Sequence, residues 1–166
     1  MIYPKSVKNY NYNEIFIETG TFLGNTTKCA VEAGYKEIIT IEFDKNNYEN
    51  AQKRFVNENL ITLYHGDSGN ILPTILEDID RPCTFWLDAH GDGMCPVLLE
   101  LDAIKNHSIK THTILIDDII DFGTSTHQGI TVEDLQEKIY SINKKYKISF
   151  EDCPRSPQDI LVAEIR

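Results

Sequence analysis

The chain has 166 residues, of which 41% are hydrophobic and 25% charged, the composition of one ordinary globular domain. No apolar run approaches the roughly 20 residues that a membrane-spanning helix needs, so we expect no membrane contact. The formal net charge of -10 argues against an unaided nucleic-acid binder, because such proteins gather Lys and Arg to displace counterions from phosphates.

The N-terminal residues 1–13 are polar and rich in Tyr and Asn, with no basic region leading into an apolar stretch. We therefore expect a short extension of a single domain covering residues 1–166, with neither a secretory signal nor a transit peptide. A cytoplasmic location is the default expectation. The four cysteines lack a C-x-x-C pair and are interpreted as small hydrophobic residues rather than zinc ligands or disulfides.

Short apolar, β-branched runs then alternate with amphipathic segments, a pattern typical of a parallel sheet covered by helices. Several runs, such as the one at residues 38–41, are apolar on both faces, as central strands between two helix layers must be. The predicted strands are Glu14–Glu18, Glu37–Phe43, Leu60–His65, Cys83–Asp88 and Thr113–Asp117, and the predicted helices lie near Thr26–Ala33, Lys45–Asn57, Asn70–Glu77 and Val97–Asn106.

The pattern changes after the fifth strand. Thr131, with Asp134 three residues later, predicts a capped helix that runs to about Asn143. Two strands, Tyr146–Cys153 and Asp159–Ile165, follow with a connection too short for a crossover helix, so they should form an antiparallel hairpin. The predicted fold is α/β, a Rossmann-like doubly wound sheet of seven strands, mostly parallel with a C-terminal antiparallel hairpin.

Ligands of open parallel sheets collect outside the carboxyl ends of the strands. The first predicted strand runs into Glu18-Thr19-Gly20-Thr21 and a Thr-rich helix start that includes Thr26. Small residues there let backbone amides approach an anionic group at the helix N-terminus. On its own, this loop is equally consistent with an ordinary strand-to-helix turn.

Acidic residues also end the next two strands. Glu42 follows the loop by about twenty residues, a spacing at which a carboxylate can hold both hydroxyls of a ribose. Asp44 is better explained as the N-cap of the following helix. Asp67, with Ser68, could accept a hydrogen bond from the amine of adenine, and a helix-capping role is an equal alternative.

The succession E-T-G-T-F-L-G, I-E-F-D, H-G-D-S, F-W-L-D-A-H and I-L-I-D-D resembles the class I S-adenosylmethionine-dependent methyltransferases. The resemblance spans about residues 14–122, and the terminal hairpin extends it. Phe22 departs from the family, which usually has a glycine there. The cofactor-binding residues that the resemblance implies are Glu18, Thr19, Gly20, Thr21 and Thr26 around the methionine moiety, Glu42 and Phe43 at the ribose, Asp67 and Ser68 at the adenine, and Asp88.

The fourth strand leads into the predicted catalytic residues. Methyl transfer from a sulfonium is an in-line displacement, so the enzyme has to position the acceptor and remove its proton. His90 lies two residues beyond Asp88, the strand end, close to Asp92, and an ordinary histidine pKa near 6.5 would suit a base at neutral pH. His90 is therefore the predicted base, with Asp88 beside it. Trp86 is expected in the core.

Asp117 and Asp118 end the fifth strand, which neighbours the fourth in this fold. Together with Asp88 they could bind Mg²⁺ or another divalent cation, which prefers carboxylate ligands and could lower the pKa of an acceptor hydroxyl. This arrangement is similar to the metal-dependent O-methyltransferases of catechols and, through His90, of sugars. Alternatively, Asp118 and Asp121 are solvated loop residues and only Asp117 faces the site. His127, in a polar loop that could cover the site, is expected to be a mobile surface residue.

The sequence thus predicts an O-methyltransferase that uses S-adenosyl-L-methionine and a divalent metal, with a sugar, glycan or other small-molecule hydroxyl as acceptor. A metal-independent methyltransferase is an alternative. So is a module that binds the nucleoside without catalysis, because no inserted domain covers the acceptor side. The open site could also be completed by a second subunit in a homo-oligomer. A nicotinamide-dependent oxidoreductase fits the loop and the hairpin less well.

Overall fold

The structure is a computed structural model that describes residues 6–91 and 93–165. Seven strands form one sheet, in the order β3-β2-β1-β4-β5-β7-β6. The strands are β1 (Ile15–Thr19), β2 (Glu37–Glu42), β3 (Ile61–His65), β4 (Cys83–Leu87), β5 (Thr113–Ile116), β6 (Lys147–Glu151) and β7 (Ile160–Glu164). The helices are α1 (Ser6–Asn9), α2 (Asn25–Ala33), α3 (Lys45–Arg54), α4 (Ser68–Glu77), α5 (Val97–Asn106) and α6 (Val132–Ile142).

The first five strands run parallel to one another, and the last pair is antiparallel, so the predicted fold class is confirmed. β7 inserts between β5 and β6 and runs antiparallel to both. The predicted capping box at the start of α6 is also confirmed: the Thr131 hydroxyl accepts from the Asp134 backbone N–H, and the Asp134 carboxylate accepts from that of Thr131.

Two hydrophobic clusters lie on the two faces of the sheet. Alternate residues of β1 show the division, because Ile15 and Ile17 pack on the face of α4, α5 and α6, while Phe16 packs on the face of α1 and α2. Trp86 is fully buried in the second cluster, as expected for a core residue. Sheet and helices therefore form the three layers of a doubly wound domain.

The sequence prediction differs most from the structure at two places. Part of the predicted N-terminal extension forms α1, which contributes the buried side chain of Val7 to the core; residues 1–5 lie outside the described residues. α3 ends three residues earlier than predicted, at Arg54, because Phe55 leaves the helical conformation. Over the part of the chain that the structure describes, no helix has both the length and the apolar character required to cross a membrane.

Candidate functional site

The carboxyl ends of four parallel strands lie level with one another at one edge of the sheet. Thr19 of β1 pairs with Ile41 of β2 and with Leu87 of β4, and Leu87 pairs with Ile116 of β5. The segments that follow these residues therefore meet at a single edge. We call the segments that follow β1, β2 and β3 the β1–β3 half of this edge, and the segments that follow β4 and β5 the β4–β5 half.

The loop after β1 connects the two halves through Gly20. Its backbone N–H donates to the carbonyl of Ile41 at 2.9 Å, and its φ of +82° is one that residues with a side chain rarely adopt. A Cβ atom here would lie only 2.5 Å from the carbonyl oxygen of Asp88. Glycine is therefore required at this position so that the loop can pack against the end of β4.

Phe22, the departure from the family pattern, also has a left-handed backbone, with a φ of +47°. Its N–H donates to Oε2 of Glu42 at 2.6 Å, and its side chain is 62% exposed. The chain thus keeps a backbone conformation that favours glycine while placing a phenylalanine there. An aromatic ring consequently projects from the loop at the edge of the sheet.

Glu42 is buried and holds the β1–β3 half together. Its Oε2 accepts from Phe22 and its Oε1 accepts from the N–H of Asp44 at 2.7 Å. The predicted cap is confirmed, since the Asp44 side chain accepts from the N–H of Asn47. Between the two acidic residues, Phe43 exposes 61% of its surface and offers an apolar face beside the Glu42 carboxylate.

Glu18 lies beneath the loop rather than along its open side. The carboxyl is fully buried and accepts from the hydroxyls of Thr27 at 2.5 Å and Thr40 at 2.6 Å. Burial raises its pKa to about 8, against the lowering effect of these two hydrogen bonds. Thr21 reaches the same Thr40 hydroxyl at 2.6 Å. In this arrangement Glu18 supports the loop from inside the protein.

Asp67 and Ser68 begin α4. Asp67 has the capping role that the sequence left open, since it accepts from the N–H of Gly69 at 2.9 Å and from the side-chain amide of Asn70 at 2.9 Å. Ser68 is buried and donates to Oε1 of Glu100 at 2.5 Å, so its hydroxyl points into the protein. The remaining predicted residues are Thr19, which is fully buried, and Thr26, half-buried in the first turn of α2.

The β4–β5 half carries a cluster formed by Asp88, His90 and Asp118. The Nε2 atom of His90 lies 2.8 Å from Oδ2 of Asp118 and 3.3 Å from Oδ1 of Asp88. Arg155, from the β6–β7 connection, donates to the other oxygen of Asp118 at 2.5 Å. Sequence reasoning missed Arg155, because nothing in the order of the chain places that connection next to β5.

The environment of the cluster changes the protonation expected for His90. Hydrogen bonds to Asp118 and Asp88 raise its pKa to about 10, so the expectation of an ordinary histidine pKa is wrong. The same bond to His90 lowers the pKa of Asp118, whereas burial raises that of Asp88. The imidazolium thus pairs with both carboxylates, and Arg155 supplies a second positive charge at Asp118.

The cluster can also hold a metal ion. One ligand atom from each of Asp88, His90 and Asp118 lies within 4.8 Å of the others, and two carboxylates with an imidazole form a common donor set for divalent metals. The predicted set had Asp117 in place of His90. In the structure, Asp117 lies outside this group, and Asp92, which was expected near His90, lies outside the described residues.

Asp117 instead lines a narrow cavity behind the cluster, with Glu100 of α5 and His127 among the other residues of its wall. Burial raises the pKa of Asp117 to about 8 and that of Glu100 to about 7. Glu100 was not predicted as a site residue. Its position in the first turn of α5, where acidic residues are common, gives no signal in the sequence, because it becomes a site residue only through the packing of α5 against the sheet.

His127 is buried, with 1% of its surface exposed, so the expectation of a mobile surface histidine is wrong. Its ring lies between those of Phe122, at 4.2 Å between centroids, and His90, at 4.6 Å. The neighbouring Gln128 donates from its side chain to the carbonyl of Gly93 at 2.6 Å. Residues 119–129 therefore cover the β4–β5 half, and the hydrogen bond from Gln128 links them to the segment that follows β4.

Comparison with known structures identifies this arrangement as the class I methyltransferase fold. The chain is similar to the O-methyltransferase TomG from Streptomyces achromogenes, solved in complex with SAM: TM-score 0.75, 17% identity, 97% of this chain and 78% of that one. It is also similar to the O-methyltransferase from Bacillus cereus in complex with SAH, with a TM-score of 0.71 and 14% identity; the match covers 98% of this chain and 81% of that one. A third similar structure is the tRNA methyltransferase TrmK of B. subtilis, with a TM-score of 0.63 and 17% identity; the match covers 98% of this chain and 64% of that one. No family model and no curated protein matches the sequence.

Proposed function

We propose that this protein is an S-adenosylmethionine-dependent O-methyltransferase, with a sugar or glycan hydroxyl as acceptor. The observation that carries the proposal is the cluster of Asp88, His90 and Asp118 directly beside the glycine loop. The fold alone allows several acceptors, since the similar structures include O-methyltransferases and a tRNA methyltransferase. The choice of acceptor therefore has to be argued from the residues of the site.

The β1–β3 half fits the methyl donor. Glu42 is held rigidly by two backbone N–H groups, and its carboxylate retains lone pairs for the hydroxyls of a ribose. The exposed ring of Phe43 can pack against the nucleoside, and Asp67 lies at the start of α4. The backbone of the loop at Gly20 faces the end of β4, which brings the reactive end of the donor next to Asp88.

The cluster fits the removal of a proton from a hydroxyl. In the transfer step, the acceptor oxygen forms a bond to the methyl carbon while the carbon–sulfur bond breaks. The sulfonium then becomes a neutral thioether, and the hydroxyl proton has to leave. We assign that proton to the cluster of Asp88, His90 and Asp118 as a unit, because three coupled groups share one small space and their protons do not belong to one residue.

A divalent cation is compatible with the same three side chains, which would hold it through two carboxylate oxygens and the imidazole nitrogen. When bound, such an ion would lower the pKa of an acceptor hydroxyl. The His90 nitrogen can hold either a proton or the ion. His90 therefore keeps its proton and pairs with the two carboxylates in the absence of metal, and would act as a ligand in its presence.

A hydroxyl acceptor also agrees with the charge of the β4–β5 half. The positive charges of His90 and Arg155 balance the carboxylates of Asp88 and Asp118, and burial raises the pKa of Asp117 to about 8, so its carboxyl is mostly neutral at neutral pH. A site without a net charge suits a neutral hydroxyl. Residues 119–129 cover this half and can exclude water from the reaction. This cover favours an enzyme over a module that only binds the nucleoside.

Chelation and a His90 variant test the catalytic half. We expect His90→Gln to lower methyl transfer to a panel of methyl glycosides at least about 100-fold, the usual contribution of a positioned acid–base group, with SAH affinity measured by calorimetry unchanged. Addition of EDTA should have an effect of similar size if metal is required. Full activity in EDTA would remove the metal and leave the cluster itself as the proton acceptor. Full activity of His90→Gln would overturn the assignment to the cluster.

Glu42 tests the donor half. Glu42→Ala removes the proposed ribose acceptor and the anchor of Phe22, so SAH binding should weaken at least about tenfold, the equivalent of about 1.4 kcal/mol. Glu49→Ala, at an exposed position on α3, is the control for the loss of one carboxylate. Unchanged SAH affinity in Glu42→Ala would contradict the proposed donor site.

A further inference from the structure

The cavity behind the cluster is lined by buried polar atoms that have no hydrogen-bond partner in the protein. Over the described residues, the buried side-chain atoms without a partner are Oε2 of Glu100, Oδ1 of Asp117, and Nδ1 and Nε2 of His127. These three side chains are 0%, 8% and 1% exposed. They come from α5, from the end of β5 and from the covering segment, yet all three line one cavity.

Burying unpaired polar groups is costly, typically about 1 to 3 kcal/mol for each, and proteins rarely keep them without a use. Here they are concentrated beside the proposed reaction centre, since Asp88 and His90 line the same cavity. His127 is the clearest case because both of its ring nitrogens lack a partner. Packing alone does not explain it, since a phenylalanine would fill the space between Phe122 and His90 without that cost.

The size and charge of the cavity restrict what it can hold. It has room for a group of about the size of a water molecule. A charged group, anion or cation, would lose its hydration on entering this space and would find no free counter-charge, because Asp88 and Asp118 are already paired with His90 and Arg155. The unpaired atoms around the cavity are two ring nitrogens of His127 and one carboxyl oxygen each from Glu100 and Asp117, so they offer both donors and acceptors. A hydroxyl, which also donates and accepts, matches this set.

We propose that Glu100, Asp117 and His127 form a subsite that binds a hydroxyl group of the acceptor close to the one that is methylated. This inference rests on the proposed function and extends it from the reacting hydroxyl to its surroundings. His127 is the residue that completes the subsite, because it enters from the covering segment at residues 119–129. Its engagement by a hydroxyl would couple binding of the correct acceptor to closure of that segment.

Imidazole ¹⁵N spectra of protein labelled at histidine, with SAH present, test the subsite without requiring turnover. Three small probes of similar shape differ in charge: propane-1,2-diol, 1-aminopropan-2-ol and lactate. The diol should shift the His127 resonance saturably and bind at least about tenfold more tightly than lactate, since an unpaired charge enters a buried site at high cost. Preference for the amine or for lactate would overturn the choice of a neutral hydroxyl.

Two variants separate hydrogen bonding from packing. His127→Phe keeps a ring between Phe122 and His90 but removes both nitrogens, and His127→Asn keeps polar atoms but removes the ring. We expect diol binding, followed by saturation-transfer NMR, to be lost in His127→Phe and partly retained in His127→Asn. Diol binding by His127→Phe at the wild-type level would overturn the proposal, as would the absence of any response of the wild type to the three probes.

The same preparations distinguish failure of this inference from failure of the proposed function. Methyl transfer to methyl glycosides and SAH binding are measured alongside the spectra. A protein that transfers methyl groups while His127 ignores all three probes would overturn the subsite alone. A protein whose His127 responds to the diol but which transfers no methyl group to any glycoside would overturn the proposed function.

Discussion

The two halves of the sheet edge differ in how their buried polar groups are satisfied. In the β1–β3 half, the buried Glu18 and Glu42 each accept two hydrogen bonds from the protein itself, as does the half-buried Asp67. In the β4–β5 half, Asp117 and His127 are buried with unpaired atoms. One half is therefore complete before any ligand binds, and the other is not.

This difference indicates that the β1–β3 half serves ligand binding and the β4–β5 half serves the chemical step. A fully bonded half presents a fixed surface, so a ligand can bind it without the cost of ordering side chains. The β4–β5 half instead keeps groups whose desolvation is poorly compensated, the condition that shifts pKa values and accompanies catalytic sites. We expect substitutions in the first half to change affinity, and substitutions in the second to change rate.

A matched pair of aspartate substitutions tests this division most strongly. Asp88→Asn removes a charge from the cluster, and we expect it to lower kcat about 1,000-fold while SAH affinity stays within about threefold. Asp67→Asn removes the same charge from the other half. It should weaken SAH binding by about tenfold and leave kcat almost unchanged. Transfer rates at saturating donor, with calorimetry of SAH, measure both.

The comparison would fail if the two variants behaved alike. Equal losses of SAH affinity would mean that Asp88 belongs to the donor surface as much as Asp67 does. The backbone of Asp88 already contacts the β1–β3 half, because its N–H donates to the carbonyl oxygen of Thr19, with 3.2 Å between nitrogen and oxygen. The pair therefore separates the role of the Asp88 side chain from that of its backbone.

Glu18 shows that hydrogen bonds do not fully offset burial even in the complete half. Its folded-state pKa of about 8 lies above the ordinary 4.5, so the neutral carboxyl is the stabilised form. Its contribution to stability is fully present below pH 4.5 and is lost as the pH rises through 8. Glu18→Gln should remove this loss, so its melting temperature should gain several degrees on the wild type between pH 5 and pH 9.

Thermal melts of both proteins across this pH range measure the effect. Glu32→Gln, at an exposed position on the same helix as Thr27, controls for the loss of one negative charge and should follow the wild type at each pH. Parallel melting curves for Glu18→Gln and the wild type would show that Glu18 is ionised in the folded protein throughout. The two threonine hydroxyls would then outweigh its burial.

The sequence was sufficient to predict the fold because strand and helix signals are local. The alternation of apolar runs predicted all seven strands to within two residues at either end, and the short link after β6 predicted the hairpin. Caps such as Asp44 and Thr131 are equally local. α1 was missed because its four residues carry too little periodicity to stand out from a polar segment.

Site residues at strand ends were also predictable, since the topology of a parallel sheet brings those ends together. Asp88, His90 and Asp118 meet as that rule implies. The sequence could not show which way each side chain turns. Asp118 faces His90 with a left-handed backbone, whereas Asp117, its neighbour, turns into the cavity. His127 and Glu100 depend on long-range packing, which leaves no mark in their local sequence.

Phe22 gives the smallest of the expected effects and tests how rigid the β1–β3 half is. A left-handed backbone conformation costs a residue with a Cβ atom about 1 kcal/mol of conformational free energy, a cost that glycine avoids. Glycine also loses more entropy on folding, which offsets part of this gain. Because the ring is 62% exposed, little packing is lost, so Phe22→Gly should leave stability unchanged or raise it by up to about 1 kcal/mol.

Phe22→Ala separates the backbone from the ring, since alanine also lacks the ring but keeps the Cβ atom and therefore the strain. Melting temperatures should place Phe22→Gly above Phe22→Ala by about 2 to 4 °C, the shift expected for 1 kcal/mol in a domain of this size. SAH affinity should be the same in both variants, because the N–H that donates to Glu42 is present in each. If both lose affinity equally, the Phe22 ring itself contacts the ligand, and the β1–β3 half binds through an exposed side chain as well as through its fixed backbone.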